Sequence, residues 1–226
     1  TFKQDGVGRT RGGFEYGRGR WLISGDGGAT RTGDYSTPLG PVDNSRSRLS
    51  NAFGAVAHYG GRNSFGVNYG VQDGNYGVPF GAELSGEQDG NGTTDITLAF
   101  RRQQVRANFG RGDFTGPVER FDLQAAYSDW THKELEGGAI GTRFFNKQLT
   151  TRGAFEQRRK GRLAGRFGAW GLVRDYNTIG AERLSPPVDQ RAAAVFALEE
   201  VDFERVKLQF GGRYEHNAYT PTGAVV

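Results

Sequence analysis

Every second residue is apolar over stretches longer than an ordinary soluble strand, and this alternation limits the folds open to the chain more than any other feature. In residues 63–72, Phe65, Val67, Tyr69 and Val71 share one face while Gly66, Asn68, Gly70 and Gln72 share the other. In 121–128, Phe121, Leu123, Ala125 and Tyr127 oppose Asp122, Gln124, Ala126 and Ser128. In 162–174, Leu163, Phe167, Ala169 and Val173 oppose Arg162, Arg166, Trp170 and Arg174. In 206–215, Leu208, Phe210 and Tyr214 oppose Lys207, Gln209, Arg213 and Glu215. Compatible patterns run over 9–16, 20–31, 47–59, 98–109, 145–157 and 190–203, and a phase slip between Phe100 and Val105 predicts a bulge or a strand start there. Ten strands result, many of about 10–14 residues, against about 5–6 in soluble sheets and about 9–11 for a tilted bilayer crossing.

The connections take turns in length. Short ones fall at Gly17–Gly19, Gly60–Arg62, Arg158–Gly161 and around Glu204–Arg205, with a medium one from Gly110 to Glu119. Longer ones fall at 32–46, 74–97, 133–144 and 176–189. In an antiparallel meander this gathers the short turns at one end and the long loops at the other, as in outer-membrane barrels. The predicted fold is all-β, an antiparallel up-and-down transmembrane β-barrel segment of about ten strands. A soluble two-layer sandwich shares the alternation, but its core has no place for the Arg, Gln, Asp and Glu of the second face.

Composition supports strands and turns. Hydrophobic residues make up 35% and aromatics 12%, with 37 glycines and no cysteine, so disulfides and thiolate metal sites are excluded. No apolar run approaches the ~20 residues of a spanning helix. The net charge of +4 is spread along the chain, without the concentrated basic face that nucleic acid requires. Serines and histidines form no triad, and Glu199 and Glu200 point to opposite faces of one strand. No enzymatic activity and no cofactor are expected.

Several stretches resemble TonB-dependent receptors, and more narrowly the group that includes zinc-uptake receptors. Gly33-Asp34-Tyr35 to Asn44-Ser45, followed by Phe65-Gly66-Val67-Asn68-Tyr69, resembles an early barrel hairpin of that family. Asn75-Tyr76-Gly77-Val78-Pro79 resembles an element that opens a substrate loop. Ala126 to Glu134, with Gly141-Thr142-Arg143-Phe144-Phe145-Asn146, and Gly211-Gly212-Arg213-Tyr214-Glu215 resemble further family segments. The resemblance implies a larger barrel closed by an N-terminal plug, energised through the TonB–ExbB–ExbD system in a bacterial outer membrane. On that basis residues 1–226 are expected to be part of a barrel domain, with the plug and remaining strands absent. One departure concerns zinc: the loop from Phe80 to Thr94 holds no histidine, and Glu83, Glu87 and Asp89 supply only oxygen.

Tyr76, Asp129, His132, Glu134, Glu136 and His216 fall near the long-loop ends of their segments, where solute arrives, and are the candidate substrate-binding residues. His58 lies beside a short turn and is expected to be structural. Arg152, Arg162, Arg166, Arg174, Lys207 and Arg213 are expected to face the lumen, against acidic groups of a plug or an anionic solute. Local pairing with Glu156 and Glu215 is the simpler role for them. Trp21, Tyr59, Trp130 and Tyr176 are candidates for interfacial aromatic girdles. The expected function is TonB-energised uptake of a scarce solute, a metal or a metal chelate such as a siderophore. The alternatives are a passive or adhesin-like barrel without energy coupling, and a soluble carbohydrate-binding β-protein.

Overall fold

A computed structural model describes residues 3–4, 6–79, 95–180, 183 and 185–222. The loop carboxylates Glu83, Glu87 and Asp89 lie outside the described residues. Thirteen strands follow in chain order: β1 (Lys3–Gln4), β2 (Val7–Arg18), β3 (Trp21–Thr32), β4 (Tyr35–Thr37), β5 (Gly40–Val42), β6 (Ser47–Tyr59), β7 (Asn63–Gly77), β8 (Ile96–Gly112), β9 (Val118–Glu136), β10 (Ala139–Gln157), β11 (Leu163–Gly180), β12 (Val188–Asp202) and β13 (Lys207–Pro221). Ten form one sheet, β13-β12-β11-β10-β9-β8-β7-β6-β3-β2, in which every neighbour in space is the neighbour in sequence apart from the small β4–β5 hairpin. That hairpin pairs with β1 in a separate 3-stranded sheet and occupies the predicted 32–46 loop.

The alternation sorts the sheet into two faces. One, here the outer face, carries Phe14, Ile23, Val56, Phe65, Val67, Tyr69, Val105, Phe109, Leu123, Tyr127, Leu149, Phe155, Phe167, Val195, Leu208, Phe210 and Tyr214, all of them exposed. Phe14 is 63%, Phe210 58% and Tyr214 73% accessible, whereas among the described residues the buried hydrophobic core holds only Val42, Ala154, Ala192 and Ala194. A water-soluble sandwich would bury those rings between its sheets. An exposed apolar band of this extent instead calls for a nonaqueous neighbour. The rings also pack along the band, Phe121 on Phe155 at 4.8 Å and Phe155 on Phe167 at 5.4 Å between centroids. His58 sits between Trp21 at 4.8 Å and Phe65 at 5.3 Å, at the short-turn end as expected.

Two expectations fail for identifiable reasons. The predicted loop 133–144 is a tight turn at Gly137 and Gly138, whose φ values of 55° and 88° suit the left-handed geometry of a two-residue hairpin. β9 and β10 therefore run 19 residues each, and the sequence pattern broke there because the extra rungs mix polar and apolar residues on both faces, Leu135 opposite Ile140 beside Lys133 opposite Arg143. The predicted bulge between Phe100 and Val105 is also absent, since β8 pairs without interruption with β7 and β9. Phe100 simply faces inward, opposite Gly74; a Cβ on Gly74 would meet the Phe100 ring at 2.6 Å, so the glycine makes room for it. The register shifts lie elsewhere, at Ile140/Thr142 and Glu156/Gln157.

Candidate functional site at the long-loop end

At the long-loop end, the inner face of β7–β11 is built in cross-strand rungs. One rung sets Arg102, Trp130, Asn146 and Tyr176 side by side, and the next sets Phe100, His132, Phe144 and Thr178. His132 packs against Trp130 at 5.3 Å and Phe144 at 5.5 Å. Arg174 donates from Nε to Asn146 Oδ1 at 2.9 Å and lies over the Tyr176 ring at 5.5 Å. Arg102 donates to Ser128 Oγ at 3.4 Å. A hollow opens over these residues, lined by Phe100, Arg102, Ser128, Trp130, Asn146 and Gln148. A second hollow, deeper along the same face, is lined by Asn68, Arg106, Gln124 and Arg152 around Trp170.

Of the candidate substrate residues, His132, Glu134 and Glu136 share this inner face on β9, and Tyr76 on β7 joins the rung of Leu98 and Glu134. Asp129 and His216 do not belong with them. Asp129 pairs with Gln103 and Lys147 on the outer face, and His216 follows Leu208, Phe210 and Tyr214 on the same side of β13, opposite Ala193. Proximity in sequence placed them near the loops, but their parity along the strand turns them away. Trp130 and Tyr176, and Tyr59 opposite Ser64, likewise face inward and form no outer girdle; Trp21 does face outward. Among the described residues no three His, Cys, Asp or Glu side chains converge as a metal site.

The basic set is mostly inward and mostly partnered. Arg166 reaches Asp122 at 3.4 Å, and Asp122 also takes Arg120 at 2.8 Å. Lys207 pairs with Glu200 at 2.8 Å, and Arg213 with Glu215 at 2.6 Å while lying over Trp170 at 5.2 Å. Arg152 lies over Phe196 at 4.9 Å. Arg162 is the exception to the expected placement: it belongs to the turn between β10 and β11, with its guanidinium over Phe203 at 5.2 Å. Local pairing therefore accounts for Lys207 and Arg213, as the simpler role required, with Glu200 rather than Glu156 as a principal acid.

Asn44 holds the β4–β5 hairpin at the mouth. It is buried with φ 57°, in the left-handed region that asparagine tolerates. Its Nδ2 donates to Ile96 O at 2.7 Å and Val78 O at 3.3 Å, clamping the ends of β7 and β8. Gly77 makes room for it, since a Cβ there would stand 2.6 Å from Asn44 Cγ. Asp34 Oδ1 accepts from the backbone N–H groups of Ser45 and Arg46, each at 2.8 Å. Asn44, Trp130 and Phe144 carry the geometry of the mouth and were not singled out as site residues from the sequence. Extending the two-residue count of β9 past Ser128 finds Trp130; nothing in the sequence marks the buried clamp of Asn44.

A sequence profile described as TonB dependent receptor-like, beta-barrel, matches residues 2–225. The chain belongs to this family. Among solved structures, the "Copper transporter OprC" superposes with a TM-score of 0.75 at 14% sequence identity, over 97% of this chain and 38% of that one. At that identity the likeness shows the shared fold, and the chain spans little more than a third of the length of that protein. No curated protein matches the sequence.

Proposed function

We propose that this chain supplies wall and mouth to an outer-membrane receptor that takes up a scarce solute, a metal chelate such as a siderophore. Energy would arrive through TonB–ExbB–ExbD acting on a plug domain, of which residues 1–226 form the surrounding barrel in part. Family membership supports the outer-membrane placement and the energy coupling. The name of the structural neighbour, a copper transporter, supports metal as the cargo class. The observation that carries the chelate reading is the inner-face combination of the Trp130–His132–Phe144 rings with the guanidinium groups of Arg102 and Arg174. Ring faces and forked cations together suit a flat, anionic organic shell around a metal, through stacking and charge-assisted hydrogen bonds.

The test is uptake by the full-length receptor in a deletion host under metal limitation, with ferric chelates and free copper supplied in parallel. A Trp130→Ala, Arg174→Gln pair is expected to lower chelate uptake while the barrel still assembles. Uptake that persists without TonB would establish a passive channel instead, and uptake of the free ion alone would remove the chelate reading.

A further inference from the structure

Beyond the apolar band, the outer face carries a row in which Arg31, Arg48, Asn75, Ala99, Lys133 and Arg143 are successive cross-strand neighbours on six strands. Two of those contacts, Arg31 with Arg48 and Lys133 with Arg143, set like charges directly opposite one another. Such pairs are destabilising in a sheet. No ion pair joins any of the four to an acid among the described residues. Between the two pairs the surface forms a hollow lined by Arg48, Asp73, Asn75, Arg101, Thr131 and Lys133. Asp73 is engaged by Arg101 at 3.6 Å, which leaves Arg48 and Lys133 as the charges of the hollow with no acidic partner among the described residues.

Height identifies the occupant. The rung of Tyr69, Val105, Tyr127 and Leu149 closes the apolar band, and the basic row lies about 20 Å farther along the tilted strands at ~3.3 Å per residue. That is beyond the acyl chains and level with a bulky headgroup, on the face that looks away from the lumen. We propose that this hollow binds the phosphorylated sugar headgroup of an outer-leaflet glycolipid. Phosphate oxygens between Arg48 and Lys133 relieve the repulsion within each like-charged pair, while the acyl chains lie on the band of Val56, Val67 and Val105 below. The site rests on the outer-membrane placement proposed above, and membrane fractionation reads that placement separately.

The experiment uses the full-length receptor, stripped of lipid in a neutral detergent and followed by native mass spectrometry. The probes are bis-phosphorylated lipid A, the same lipid with both phosphates removed, and inorganic phosphate. The unmodified receptor is expected to retain the phosphorylated lipid, and Arg48→Gln with Lys133→Gln to bind it about 30-fold more weakly. Heat-modifiable migration on gels reports whether that variant is folded; Arg143→Gln alone, at the edge of the row, provides a milder variant with a loss of about 5-fold. Unchanged binding in both folded variants, or equal retention of the dephosphorylated lipid, overturns the proposal. Displacement of the lipid by inorganic phosphate at a similar concentration also overturns it, since the site would then serve free anions.

Discussion

Asp129 and His132 stand three positions apart on β9, yet their side chains emerge on opposite faces of the sheet. The same count by twos that assigned Phe121 to Tyr127 outward, carried a few residues farther, sends Trp130 and His132 inward and Asp129 outward. It sends His216 outward along with Tyr214. The information was present in the sequence, and it was obscured because proximity to a loop was given more weight than parity. A direct comparison follows: His132→Ala removes a ring from the inner stack and is expected to weaken solute binding about 3–10-fold, while Asp129→Ala leaves it unchanged. Equilibrium binding to the intact receptor checks this, and equal losses would place both residues in the site or neither. Asn44 illustrates what sequence does not disclose. Its role depends on two carbonyls distant in the chain, Val78 and Ile96, meeting in one buried place. Asn44→Ala leaves the Val78 carbonyl without its partner at about 1–3 kcal/mol, while Ile96 O keeps the Val78 N–H, and is expected to raise hydrogen exchange across 33–46 without unfolding the sheet.

Among the strands, ten were legible because a period of two survives any tertiary context that buries or lipidates one face. Their ends were not, because β9 and β10 continue with polar and apolar residues mixed on each side, so that no hydrophobic contrast marks a face. The misplaced bulge has a different origin: Phe100 is an apolar residue on the polar face, fitted into space left by Gly74. Gly74→Val would drive a branched side chain into Leu49 and Phe100 and is expected to cost about 1–3 kcal/mol in urea unfolding from bilayers. The two faces of β7 are separable by one position. Val67→Arg places a charge against hydrocarbon at about 2–4 kcal/mol near the midplane, whereas Asn68→Arg enters the polar hollow and is expected to be nearly silent. Vesicle-folding titrations of the two variants measure the contrast directly, and similar losses would reverse the assignment of faces.

For the sheet taken together, alternate connections fall at opposite ends because each strand reverses the last, and the long ones share an end with the tight β9–β10 turn. All five connections at the short-turn end join consecutive strands through a handful of residues, at 19–20, 60–62, 113–117, 158–162 and 203–206. β2 and β13 form the two sides of the ten-stranded sheet and do not pair with each other. Backbone donors and acceptors left bare in hydrocarbon cost several kcal/mol each. Residues 1–226 produced alone are thus expected to form oligomers joined side to side rather than a heat-modifiable monomer, as gel migration and light scattering would record. At the far end, the hairpin of β9 and β10 rises well past any bilayer and closes on two glycines without a loop. A rigid stalk with so small a tip is a natural mast: a short antibody epitope spliced between Gly137 and Gly138 would be displayed to the medium on living cells, leaving the wall beneath untouched.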